Sequence, residues 1–141
     1  MPLRPALGSF GAAAAAVLAL STPATAAPGD HVTISRTAHL SADGTIIVSG
    51  TYRCFDTRGP VFVGAAISQA PSTTRYGIGG TRAVCDGAYH RWYNSGTVTA
   101  DRLTPGPARV EVALVELRPH GNLPLPDIHA TRHRTVALVK D

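Results

Sequence analysis

The chain has 141 residues, a formal net charge of +4, and is 44% apolar but only 6% aromatic. Twelve of its thirteen Lys and Arg residues are Arg, and no run of them exceeds two. This excludes a polybasic arm for nucleic acid or anionic lipid, and the length suits one domain rather than two.

Residues 1–5 contain one positive charge, Arg4, and residues 6–20 are uncharged and mostly Ala, Leu and Val. Ala24-Thr25-Ala26 closes this opening segment. A basic start, an apolar middle and a small-x-small exit make a secretory signal peptide over residues 1–26, with the cut before Ala27. The apolar run is short of the roughly 20 residues a spanning helix needs. The expectation is a secreted, extracellular single domain over residues 27–141 with no membrane anchor.

The elements that follow read as strands. Residues 31–40 alternate weakly through Val32 and Ile34. Asp43-Gly44 turns the chain, since both positions tolerate φ > 0. Residues 44–54 alternate cleanly: Ile46, Val48, Gly50, Tyr52 and Cys54 on one face, Thr45, Ile47, Ser49, Thr51 and Arg53 on the other. Residues 61–69 form an apolar run of strand length, expected at the centre of a second sheet. Residues 75–81 are rich in glycine, which points to an edge strand with a bulge. Residues 89–94 put His90 and Trp92 on one face and Tyr89, Arg91 and Tyr93 on the other. Residues 101–107 make a corner, 109–117 the clearest late strand, 118–126 an extended loop with three prolines, and 129–139 the last strand.

About seven strands with evenly spaced turns and no helix predict an all-β fold, an antiparallel two-sheet sandwich of immunoglobulin-like type. The only two cysteines, Cys54 and Cys85, each lie at a strand end beside a turn, and an exported chain pairs them most simply as one disulfide. In this topology the second and fifth strands are antiparallel neighbours, which brings Cys54 beside Cys85.

The segment Leu103-Thr-Pro-Gly-Pro-Ala108-Arg-Val110 resembles the corner before the sixth strand of bacterial immunoglobulin-like domains. Leu103 would plug the core there, and Ala108 and Val110 would begin the inward stripe. More broadly, six segments carry a likeness: Gly50-Thr-Tyr-Arg-Cys54, Arg75-Tyr-Gly-Ile-Gly-Gly-Thr-Arg82, Cys85-Asp-Gly87, His90-Arg-Trp92, Pro105-Gly-Pro-Ala-Arg-Val110 and Leu123-Pro-Leu-Pro126. Through them the chain resembles a small exported actinobacterial family of unknown function. The resemblance implies export and a small β domain; it brings no catalytic residue.

Motifs with chemistry are few. Val48-Ser49-Gly50-Thr51 lacks the first glycine of a hydrolase elbow, and Ser, His and Asp without geometry make no triad. Gly77-Ile-Gly-Gly80 is followed by neither Lys-Ser/Thr nor a helix, so no phosphate loop is indicated. Asp127, His129 and His133 share strand parity. Residues two apart on a face lie about 7 Å apart and four apart about 13 Å, so Asp127 and His129 can share an ion but His133 cannot. His120 could add a ligand, but surface histidines are the expected role. Glu111 and Glu116 are expected to face solvent or pair with Arg109 and Arg118. Trp92 is expected in the core rather than on a ligand platform.

These readings converge on a non-catalytic, monomeric binding or surface-interaction module with no cofactor and no metal. Its contact residues would be Arg75, Tyr76, Arg82, Tyr89, Arg91 and Tyr93, and its partner an extracellular macromolecule or cell-surface component. The alternative is a small secreted enzyme, such as a metal-dependent hydrolase.

Overall fold

The computed structural model describes residues 29–99 and 101–141, so the expected signal segment lies outside the described residues. Among the described residues there are eight strands and no helix: β1 (His31–Val32), β2 (Thr37–Leu40), β3 (Thr45–Arg53), β4 (Val61–Ser68), β5 (Tyr76–Arg82), β6 (His90–Thr97), β7 (Gly106–His120) and β8 (Leu123–Lys140).

Period-two alternation decides which side chains go inside. Strand β3 buries Ile46, Val48, Gly50 and Tyr52, and β7 buries Ala108, Val110, Val112, Leu114 and Glu116. Strand β3 pairs with β6 on one side and with β1 and β2 on the other. Strand β4 lies between β5 and β7, and β7 pairs with β8. Strand β2 also runs parallel to β8, joining the two layers at one edge and making the sheet mixed rather than purely antiparallel. The layers are therefore β1-β3-β6 and β2-β8-β7-β4-β5, an immunoglobulin-like order with a divided first strand.

The inner faces share one core, from Val32 and Ile34 to Val136 and Leu138. Leu103 is buried at the corner before β7, as expected. Trp92 is fully buried and donates its indole N–H to the Thr33 carbonyl at 2.9 Å. It lies directly across from Gly50, where a Cβ would come within 1.9 Å of that same carbonyl. Gly50 is thus required by a close backbone approach. Asn94, buried on β6, donates to the Val63 carbonyl on β4 at 2.9 Å and accepts from Thr81 on β5, tying the two layers with a satisfied polar group.

Two expected elements differ. The first strand breaks in two because residues 33–35 stay on β3 while the Arg36 carbonyl already accepts from Ala137 of β8. The proline-rich loop is instead a hairpin, with β7 and β8 paired up to His120 and Leu123. Strand β4 ends its pairing at Val61↔Glu116, so the hairpin beyond lacks the neighbour that would demand proline's missing N–H.

Cys54 and Cys85 form a disulfide with Cα atoms 4.5 Å apart. It joins the end of β3 to the turn before β6, not the two sheets at mid-strand. The two cysteines are 31 positions apart in sequence, a loop for which closure entropy predicts about 3–4 kcal/mol. Replacing both cysteines by Ser should lower stability by that amount in urea denaturation. Free thiols in the denatured, unreduced protein would contradict the bond.

Candidate functional site

The densest chemistry lies where β7 and β8 leave the sandwich. Glu116 is the fifth member of the inward stripe of β7 and is fully buried rather than facing solvent, and of the two expected alternatives it is the pairing with Arg118, at 3.2 Å, that is present. Glu111, of opposite parity, is only partly buried and pairs with Arg75 and Arg109 on the outer face.

The register of β7 and β8 shifts between Leu114↔Ala130 and Val115↔Ile128, leaving His129 as the extra residue of a β-bulge. A bulge re-aims one side chain, and here His129 and Ala130 are both buried in succession. The His129 ring reaches Asp30 Oδ2 through Nδ1 at 2.7 Å and Glu116 Oε1 through Nε2 at 2.7 Å. Carboxylates only accept, so a ring between two of them donates from both nitrogens and is an imidazolium. Burial opposes that charge, but Asp30 and Glu116 outweigh it and raise the His129 pKa above its usual value.

Burial also opposes charge on Glu116. Hydrogen bonds from His129, the Gly59 N–H, Arg118 and the Arg58 N–H outweigh it and hold the carboxyl down at about 2. The cluster fastens the start of the domain (Asp30), the loop before β4, and β7 and β8 to one another.

Glu116, Asp127 and His129 each bring a ligand atom within 4.8 Å of the others. The third member of such a set is Glu116, not His133 or His120, both of which are exposed. Arg118 Nε lies 3.2 Å from Glu116 and 3.1 Å from Asp127, so its guanidinium stands where a cation shared by the carboxylates would stand. A metal would have to displace Arg118 and take a ring proton from His129. With both ring nitrogens engaged, His129 also has no free lone pair for general-base work.

The six residues expected to form a contact surface do not share one face. Arg75 and Arg82 belong to the outer face of the second layer: Arg75 pairs with Glu111, and Arg82 stands opposite Phe62. Tyr76 packs partly against the core. Arg91 and Tyr93 stand on the outer face of the first layer, where Tyr89, just before β6, continues their row. Their true neighbours are Arg53 and Phe55. The Arg53 guanidinium lies 4.9 Å from the Phe55 ring centre and 5.0 Å from that of Tyr89, and Arg91 lies 5.5 Å from that of Tyr93. Arg53 already alternates to the solvent face in the sequence; Phe55 lies past the strand and carried no periodic signal.

No curated protein matches the chain. Among solved structures, murine CRIg is similar over 79% of this chain and 98% of that one, at 10% identity and a TM-score of 0.36. The model of the Family of unknown function (DUF6299) matches residues 28–141, and the chain belongs to that family.

Proposed function

We propose that the chain is a secreted, non-catalytic binding module that engages an extracellular macromolecule or cell-surface component through the outer face of its first layer. The observation that supports this reading is the Arg–aromatic row of Arg53, Phe55, Tyr89, Arg91 and Tyr93. Tyr89 is 64% exposed and Tyr93 57%, although each ring has a guanidinium beside it. Stacked Arg and Tyr lose little conformational freedom on contact, and both types are favoured at interfaces.

Alanine at Tyr89, Arg91 and Tyr93 together should abolish capture of the partner from the producing organism's cell-wall and secreted fractions. The melting temperature should stay nearly unchanged, because all three side chains are exposed. Undiminished capture by the triple variant would remove this face from consideration.

The second reading, a metal-dependent hydrolase, draws on Glu116, Asp127 and His129. The position of Arg118 weighs against it. Zinc-dependent hydrolysis of an ester, peptide or glycan panel, lost in His129→Ala, would favour the enzyme over the binding module.

A further inference from the structure

The outer face of the first layer joins a column of one character to a floor of another. Tyr89, Arg91 and Tyr93 follow at every second position along β6 and the residue before it. Ring, guanidinium and ring therefore succeed one another at steps of roughly 7 Å. Ladder partners in an antiparallel pair point to the same side, so the register shows what lies beside the column. Thr51 stands across from Arg91, and Ser49 across from Tyr93. On the far side of β3 the rows end in Thr33 and Ser35. The Thr33 and Thr51 hydroxyls lie 2.6 Å apart, and Ser49 donates to Ser35 at 3.2 Å. The floor is low and lined with hydroxyls.

The face carries positive charge that the domain does not neutralise. Among the described residues the arginines held in ion pairs are Arg75, Arg109 and Arg118, all on or beside the second layer. Arg53 and Arg91 are in none, and these rows hold no Asp or Glu. Asp86 and Asp30, on the segments beside them, are bound to His90 and His129. Arg53 Nε donates to the Gly87 carbonyl at 2.7 Å, which fixes the guanidinium between the Phe55 and Tyr89 rings. That leaves its terminal NH2 groups for an outside acceptor. A planar fork of this kind matches the two oxygens of a carboxylate.

We infer that the partner of this face is an acidic polysaccharide whose sugar rings carry carboxylates. The inference rests on the binding face proposed above and gives its ligand a chemistry. A sugar ring has a C–H face that packs on an aromatic ring, and hydroxyls around its rim. A uronate polymer repeats ring and carboxylate along its length, as the column repeats ring and guanidinium. The Ser and Thr floor offers partners to the rim hydroxyls. A protein partner would meet hydroxyls at the centre of this face, where protein interfaces are most apolar. A nucleic acid calls for a wider basic tract than two guanidiniums.

Titration calorimetry of the purified protein with polygalacturonate tests the inference. Dextran supplies sugar without charge, polyglutamate supplies carboxylates without sugar, and poly(U) supplies sugar linked by phosphate. Polygalacturonate should bind about tenfold or more tighter than any of the three. Tyr89→Ala/Tyr93→Ala should weaken it to the level of polyglutamate, and Arg91→Gln should weaken it towards that of dextran. The melting temperature should hold in both variants, because these side chains are exposed. Polyglutamate or poly(U) binding as tightly as polygalacturonate would overturn the inference, as would polygalacturonate binding that ignores the tyrosines. If polygalacturonate fails to bind while alanine at Tyr89, Arg91 and Tyr93 still abolishes capture from the cell-wall fraction, the ligand class falls and the binding face stands. If capture also survives the triple variant, both fall.

Discussion

Trp92→Ala should lower stability by about 3–5 kcal/mol, the usual loss for deleting a fully buried large aromatic side chain. Trp92 is the largest fully buried side chain of the domain. Its removal would empty the space between β3, β6 and the segment that crosses over Gly50, and would leave the Thr33 carbonyl without its 2.9 Å donor. Trp92→Phe separates the two effects, since it keeps most of the apolar body and loses the N–H; about 1–3 kcal/mol is expected from the unsatisfied acceptor. Urea denaturation measures both. Emission from the single tryptophan should be blue-shifted in the native state and move to a solvent-like maximum on unfolding. A solvent-like maximum in the folded protein would place Trp92 on the surface and refute the argument. Gly50→Ala should be comparably damaging, because its Cβ would collide with backbone rather than with a mobile side chain.

Glu116→Gln should cost about 3–5 kcal/mol near pH 6, because it leaves a buried imidazolium facing a neutral amide. It should also alter the pH dependence. The folded-state pKa of Glu116 is depressed from 4.5 to about 2, worth about 3 kcal/mol at roughly 1.4 kcal/mol per unit. That contribution is present above the unfolded value and is lost as pH falls from about 4.5 towards 2. His129 has the opposite sign. Its pKa is raised above 6.5, so its contribution is whole below 6.5 and is lost as pH rises through the higher folded value. The wild type should therefore be most stable between about pH 4.5 and 6.5. Glu116→Gln should flatten the acid limb, and His129→Gln the alkaline one. An acid limb unchanged in Glu116→Gln would show that the buried carboxylate does not govern acid unfolding.

The layered architecture was legible because period-two alternation reports one thing directly, which face of a strand loses water. Residues 44–54 and 109–117 therefore revealed their inner stripes, and Asp43-Gly44 and Asp86-Gly87 their turns. The cysteine pairing followed from the same logic, since two strand ends beside turns become neighbours once β3 and β6 pair. Alternation even placed Glu116 on the apolar stripe of Val110, Val112 and Leu114. Carboxylates are normally solvated, however, and apart from Arg118, two residues on, the partners that make its burial tolerable come from residues 58–59 and His129 of β8, none of them near it in sequence.

Alternation and turn chemistry by themselves determined the β-sandwich, its central and edge strands, its core tryptophan and its disulfide. These follow from local periodicity and from backbone preferences carried by single residues. The tertiary structure alone decided the rest. A one-residue bulge turned His129 inward to meet two distant carboxylates, and strand parity across the two layers sent Arg75 and Arg82 to one outer face and Arg91 and Tyr93 to the other. Both depend on register between strands far apart in the chain, and a shift of one residue reverses every side chain without changing the local pattern.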